Sequence, residues 1–288
     1  MKLVGHCEQE TGMKEFRGFT AVVTGGGSGI GAAIARLLAT AGMKVVVADI
    51  EPEAAGDIAK AIADSGGQAV ACRVDVANAN SVAELTNYVK TTFGTCHLVC
   101  ANAGVMVFGR LDQRSVQDWQ WVFSVNVMGT VHTVQAFLPI LKEHPGNAHV
   151  VITASMAGWL GAGLGKGIYN ASKHAVMAYG ETLREELCTD GVGVSLLVPG
   201  GVKSRIAQSG RNRPRELGSS APLTESDLQL VIRGTGGEEA IDPDYAVRNL
   251  LRGIEQNQPW IVTHESPERV KIEQRFAGIV RSIDLAKQ

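Results

Sequence analysis

The chain has 288 residues, 45% of them hydrophobic, with 34 glycines and a formal net charge of −2 at neutral pH. That length holds one large domain or two small ones, and scattered basic residues, apart from a small group at Arg211, Arg213 and Arg215, give no electrostatic footprint for a nucleic acid. No 18-residue uncharged apolar run spans a membrane; the first sixteen residues have no continuous apolar stretch like a secretory leader, and the five cysteines fit neither a CxxC pair nor a disulfide framework.

A cytoplasmic protein with reduced thiols is therefore expected. Cys96 and Cys100 come closest to a ligand pair, but no partner pair follows at zinc spacing, and the seven histidines show no metal-ligand pattern. Residues 1–15 read as an N-terminal arm, with Met13 a possible start of the folded part.

From Phe19 the pattern alternates. FTAVVT (19–24) predicts a strand, and GAAIARLLATAG (31–42) a helix closed by glycine. KVVVAD predicts a second strand, EPEAAGDIAKAIADSGG a helix ended at Gly66, QAVACRVDV a third strand and NSVAELTNYVKTTFG a helix. CHLVCANAG predicts the fourth strand, residues 112–143 a long helical region, HVVITAS the fifth strand and the surroundings of Tyr169 another helix. GVSLLVPG and QPWIVTH predict the last strands, and PERVKIEQRFAGIVRSI an amphipathic C-terminal helix within 265–288. Near-continuous apolar strands separated by helices predict an α/β fold: a doubly wound parallel sheet of Rossmann type, in one domain over 16–288. Residues 203–240 break the period. They are polar and glycine-rich, and lie after the sixth strand, where a loop would cover the carboxyl edge of the sheet, so they are expected to form a substrate lid.

The turn after the first strand, TGGGSGIG (24–31), sits between strand and helix. Gly25, Gly29 and Gly31 allow a tight turn, a close backbone approach to phosphate and close helix–strand packing, with the helix N-terminus aimed at a pyrophosphate. The spacing G-x-x-x-G-x-G differs from the G-x-G-x-x-G fingerprint. Asp49 ends the second strand, 24 residues after Gly25. A carboxylate there accepts from the adenosine ribose hydroxyls and repels a 2′-phosphate by about 4 kcal/mol per unit charge pair at an effective dielectric of about 20. No lysine or arginine occupies Ser28 or Ile50 to neutralise it, so NAD is expected over NADP. Helix capping is the competing account of Asp49. Tyr169 and Lys173, four apart, share one helical face, a spacing that alone carries little information.

TGGGSGIG, NAG at 102–104, SVNVMG around Asn126, Ser155, YNASK at 169–173 and PGGVKS at 199–204 stand in the order found in short-chain dehydrogenases/reductases. The chain resembles that family over about residues 16–262. The resemblance implies an oxidoreductase moving a hydride between a secondary alcohol and NAD. Tyr169 looks like the base, with Lys173 favouring its phenolate and binding the nicotinamide ribose, and Ser155 would steady the substrate oxygen. Asn126 looks like the fourth member, holding a water in a proton relay to the lysine. The resemblance further places Gly25, Ser28, Gly29, Ile30, Gly31, Asp49, Ile50, Asn102, Ala103 and Gly104 along the cofactor. Pro199, Gly200, Val202 and Ser204 fall at its nicotinamide end, while Asp75 and Val76 fall beside the adenine, with helix capping open for Asp75. Val105, Met106, Trp159, Leu160 and Leu164 fall at the active-site edge, as a substrate pocket or as ordinary packing.

Two features depart from the family: Ser155 and Tyr169 are 14 positions apart, about one more than expected, and Ser204 stands where threonine is usual. The 203–218 stretch and the C-terminal tail are similar to enzymes acting on bulky alcohols, including lignin-derived aryl alcohols. The resemblance also implies a homodimer or homotetramer. A non-catalytic dinucleotide sensor or scaffold is the alternative on the same fold; an epimerase or dehydratase is disfavoured because no large separate C-terminal domain follows.

Overall fold

The computed structural model describes residues 12–160, 163, 165–220, 225, 240–265 and 268–286. Among these, the β-branched runs form a seven-stranded sheet: β1 (Thr20–Thr24), β2 (Lys44–Asp49), β3 (Gln68–Arg73), β4 (Leu98–Ala101), β5 (Ala148–Thr153), β6 (Val192–Val198) and β7 (Trp260–Val262). The order is 3-2-1-4-5-6-7 and every pairing is parallel. After β3 the chain crosses to the far side of β1, so order reverses between β1 and β4 and leaves a crevice at their carboxyl ends.

The register puts Val22 between Val46 and Val99, and Val99 beside Val150. Side chains alternate across the sheet, giving two cores. Val22, Val46, Val99 and Val150 pack on α3 (Ala79–Phe93), α5 (Gly129–Leu141) and α6 (Gly167–Leu187). Val23, Val45, Val47 and Cys100 pack on α1 (Gly29–Thr40), α2 (Pro52–Asp64) and the later helix Leu250–Glu255. Each fully buried Phe137, Leu38 or Ile152 contributes roughly 1.5–3 kcal/mol of transfer free energy. Met13 and Phe16 are also buried; residues 1–11 of the expected arm lie outside the described residues.

The predicted strands and most helices stand where the periodicity puts them, but 112–143 is not one helix. A 3₁₀ turn (Leu111–Gln113) precedes α4 (Val116–Phe123), which starts at a capping box between Ser115 and Asp118. A π-helical turn (Ser124–Met128) then joins it to α5. After β6, two short 3₁₀ segments (Ile206–Asn212 and Arg215–Leu217) replace the expected irregular run. The base of this segment is closed where Val202 bridges Ile241, and most of its second half, 221–224 and 226–239, lies outside the described residues. α7 (Pro243–Ala246) and α8 (Leu250–Glu255) were not anticipated; α9 (Glu268–Leu285) was. Of the apolar residues of α9, Ile272 packs on the core, whereas Phe276, Ile279, Val280 and Ile283 are exposed. No described helix is long and apolar enough to cross a membrane. Cys72, Cys96 and Cys100 are free thiols, and Cys7 lies outside the described residues.

Candidate active site

The turn after β1 forms the first wall of the crevice. Gly25 and Gly29 have φ of 63° and 52°, the left-handed region that glycine enters without strain. A Cβ on Gly31 would stand 2.0 Å from the Gly25 carbonyl oxygen, and one on Gly25 would stand 2.8 Å from Ala103 Cα. Ser28 precedes α1 without a side-chain cap, and the first turn of α1 carries no acidic residue. The helix start therefore meets the crevice with N–H groups and a positive dipole end that no carboxylate of its first turn occupies. Asn102 fixes this geometry: its Nδ2 donates to the carbonyls of Thr24 (3.0 Å) and Gly25 (3.2 Å), and its Oδ1 accepts from Thr153 Oγ1 (3.0 Å). One side chain thus ties together the ends of β1, β4 and β5.

At the far end, the buried Asp49 carboxylate accepts from the backbone N–H of Gly27 (2.8 Å, Oδ2) and of Glu51 (3.0 Å, Oδ1). Glu51, not Asp49, occupies the cap position of α2, so the capping account of Asp49 falls. Asp75 accepts from Ala77 N (3.0 Å), while α3 is capped by Asn78; Asp75 is no helix cap either. Both aspartates line the crevice, as do Ile50 and Val76.

The segment after β6 lies across this end. Ser204 packs on Gly29, with its Cβ 2.9 Å from where a Gly29 Cβ would be. Arg211 donates to Glu51 from Nε (3.1 Å to each oxygen) and Nη2 (2.7 Å), and from Nη1 to the carbonyls of Arg205 and Gln208. Asn212 Nδ2 donates to Glu51 Oε2 at 3.4 Å, and Arg205 Nη2 stands 3.9 Å from Glu51 Oε1. The hydrogen bond from Arg211 holds the Glu51 carboxyl below its ordinary range. Further along, Ser209 Oγ accepts from Met106 N (3.2 Å), and Arg213 forms a buried ion pair with Asp118 (2.8 Å). Sequence reading missed Arg205, Arg211, Asn212 and Glu51. The arginine group at 211–215 was the available signal, but its partner lies 160 residues away.

The reactive groups converge midway along the crevice. Ser155 follows β5; its Oγ accepts from Ala157 N (3.1 Å) and donates to the Pro199 carbonyl (3.5 Å), and its hydroxyl lies close enough to the Tyr169 phenol to lower its pKa. Burial pushes that phenol up to about 12, against the pull of the Ser155 hydrogen bond. Lys173, 3% exposed, donates to the Thr153 carbonyl at 2.7 Å and stands 5.7 Å from the Tyr169 ring centre; burial lowers it to about 8. In the chain alone burial dominates and the phenol keeps its proton; the phenolate is expected from Lys173 acting together with the positive nicotinamide ring of the bound cofactor.

Asn126 sits in the π turn, fully buried below the crevice. Its Oδ1 accepts from Val105 N (2.8 Å), and its Nδ2 donates to Val105 O (3.0 Å) and Ser172 Oγ (2.9 Å). Ser172 Oγ in turn donates to the Tyr169 carbonyl at 2.7 Å. The carboxamide is a brace between the end of β4 and α6, with both amide hydrogens committed.

The crevice brings together Gly25, Ser28, Gly29, Ile30, Gly31, Asp49, Ile50, Asp75, Val76, Asn102, Ala103, Gly104, Ser155, Tyr169, Lys173, Pro199, Gly200, Val202 and Ser204. Val105, Met106 and Leu160 join Trp121, Ala157 and Ile206 on an apolar wall beside Tyr169. Trp159 does not: it faces a separate cavity, edge-on to Trp260 with ring centres 6.3 Å apart, because its backbone is held by Arg275 of α9 (2.6 Å to its carbonyl). Leu164 lies outside the described residues. Among the described residues no cluster could hold a metal ion.

A family model described as short chain dehydrogenase matches residues 19–215. The chain is 31% identical to a C alpha-dehydrogenase of a Sphingobium species over 94% of its own length and 88% of the relative's. It is also 31% identical to a 1-deoxy-11-beta-hydroxypentalenate dehydrogenase of Streptomyces exfoliatus, covering 92% and 90% of the two chains. Among solved structures, a short-chain dehydrogenase/reductase from Burkholderia phymatum in complex with NAD is 37% identical, with a TM-score of 0.88 over 94% of this chain and 97% of the other.

Proposed function

This chain belongs to the short-chain dehydrogenase/reductase family of oxidoreductases, and we propose from that premise that it interconverts a secondary alcohol and a ketone, with NAD as the hydride carrier. The observation that carries this reading is the meeting of Ser155, Tyr169 and Lys173 on one crevice whose other half is a glycine turn open to a pyrophosphate. The fit to a dinucleotide rests on the turn itself: Gly25 packs against Ala103 and Gly31 against the Gly25 carbonyl with no room for a Cβ, so the turn closes tightly beside the start of α1, which has no anion of its own. When bound, the nicotinamide supplies the hydride acceptor or donor.

The chain's residues do the rest. The first turn of α1 holds the pyrophosphate, and Asp49, its carboxylate oriented by Gly27 and Glu51, accepts from the adenosine ribose hydroxyls. The Asp49 carboxylate, with no cation at Ser28 or Ile50 to neutralise it, supports NAD over NADP. Lys173 binds the nicotinamide ribose and keeps a positive charge near the phenol. Ser155 donates to the substrate oxygen, and Tyr169 takes the hydroxyl proton during oxidation or returns it during reduction. Asn126 positions α6 through Val105 and Ser172. The apolar wall of Val105, Met106, Leu160 and Ile206 suits a bulky apolar or aryl substituent, and the similarity to a C alpha-dehydrogenase supports a carbinol carbon as the reacting centre.

The test is Tyr169→Phe, assayed with a panel of secondary alcohols by NADH absorbance. Turnover should fall by at least about a thousand-fold, in line with loss of a general acid–base group together with its hydrogen bond, while calorimetric NAD affinity stays within about two-fold. Substantial residual turnover would sink the assignment. The same reading includes a homodimer or homotetramer, checked by sedimentation velocity.

A further inference from the structure

We propose that the Glu51–Arg211 pair is a second determinant of cofactor choice, acting beside Asp49 to reject a dinucleotide phosphorylated on the adenosine 2′-oxygen; the proposal builds on the NAD reading above. Asp49, Ile50, Arg205, Arg211 and Asn212 line the same end of the crevice. Two arginines there are what a 2′-phosphate would need, since guanidinium groups recognise phosphate through bidentate, charge-assisted hydrogen bonds. The chain places them there and then occupies Arg211. Glu51 takes Nε and Nη2 of Arg211, draws Arg205 to 3.9 Å and is also reached by Asn212, while Nη1 of Arg211 is spent on two carbonyls of its own turn.

Glu51 is physically continuous with Asp49, whose Oδ1 accepts the Glu51 backbone N–H at 3.0 Å. A 2′-phosphate arriving at Asp49 therefore meets one carboxylate directly, while a second, on Glu51, holds the Arg211 guanidinium that would neutralise it. For Arg211 to turn toward the phosphate, a bidentate pair whose side chains are only 26% and 28% exposed must break. That break leaves Glu51 unpaired beside the incoming dianion. A 2′-hydroxyl requires none of this. The carboxylate at 51, rather than any shortage of cations, makes this end hostile to the phosphorylated cofactor.

Binding decides the matter without turnover. Calorimetric affinities for NAD, NADP and adenosine 2′,5′-bisphosphate would be measured on the parent chain and on Glu51→Gln, Asp49→Ser, Asp49→Ser/Glu51→Gln, and Glu51→Gln/Arg211→Met. Glu51→Gln, nearly isosteric, should raise the affinity for NADP and for the bisphosphate about ten-fold relative to NAD, as expected when a charged hydrogen-bonding group is freed. The Asp49→Ser/Glu51→Gln variant should bind both better than Asp49→Ser does. Adding Arg211→Met to Glu51→Gln should abolish the gain. If Glu51→Gln shifts NAD and NADP equally, the pair merely fastens the segment and the proposal is overturned; so it is if the gain survives Arg211→Met. A parent chain that prefers NADP would instead refute the Asp49 reading, while the Glu51 and Arg211 comparison would still judge the pair on its own.

Discussion

A methyl group on Gly193 would stand 2.2 Å from Nδ1 of His149, its neighbour across β5 and β6. His149 is fully buried and held by Ser195 Oγ at 2.9 Å, so the ring has nowhere to go. Gly193→Ala should therefore cost about 1–3 kcal/mol through overpacking, read as a lower urea midpoint at unchanged slope. Gly56, inside α2 with nothing within 4 Å of its would-be Cβ, gives the opposite sign: Gly56→Ala should add about 0.5–1 kcal/mol by removing unfolded-chain entropy and restoring helix propensity. Sequence reading resolves residues of one kind well. Tyr169 and Lys173 were legible because their relation is set by one helix turn, and Gly25, Gly29 and Gly31 because one loop contains them all. Glu51 and Arg211 were not, because only the folded path of the chain brings them together. The carboxamide of Asn126 was legible as a site residue, yet its work as a brace depends on Val105 and Ser172, which no motif names.

At the scale of elements, the segment after β6 departs most from its composition. Its glycines and prolines suggest a lid that opens cheaply, but the described part is fastened to Glu51, to Met106 and to Asp118. The last fastening is the strongest: Arg213 and Asp118 are 5% and 1% exposed, Ser220 Oγ also donates to Asp118 at 2.7 Å, and Arg213 lies over the Trp121 ring. Asp118→Asn removes the charge and leaves the arginine buried without its partner, a loss of about 3–5 kcal/mol where the group stays buried. Amide exchange should then accelerate across 206–220 while the amides of β1, β4 and β5 keep their rates; uniform acceleration would show that the pair supports the whole domain instead. We retain the lid as a proposal for 203–240, tested by whether cofactor plus substrate slow exchange there. The helical region at 112–143 teaches a related lesson. Its helical period was plain, but a π turn changes the pitch by one residue without interrupting the apolar pattern, so periodicity alone passes over it.

The fold of the whole molecule was the most legible level, because a parallel sheet buried on both faces writes itself as repeated apolar runs with helices between them. What that burial does to the histidines was not legible. His97, whose Nδ1 accepts from Thr20 N at 3.2 Å, is lowered to about 4 by burial and by the charges of His144 and Lys44; His149 is lowered to about 3 by burial and by Arg184. An unfolded histidine titrates near 6.5. Between that value and the folded ones, the unfolded chain binds protons that the native chain refuses. Stability is thus complete above about pH 6.5 and falls with acid, by up to about 1.4 kcal/mol per pH unit for each histidine. Urea midpoints should drop steeply between about pH 6.5 and 5, and His149→Gln should flatten the slope. A midpoint constant over that range would contradict the burial of these rings as neutral groups.

Lys173 hangs by its ammonium from the last carbonyl of β5, and Ser155 leaves that same strand two residues on. Since β5 is paired along both edges, the reacting groups have no local way to come apart: dismantling them means dismantling the middle of the sheet. Heating should consequently yield a mixture of fully competent and fully inactive molecules rather than a population of sluggish ones. Residual specific activity after a heat step should track the surviving folded fraction one for one, with an unaltered Michaelis constant in what remains.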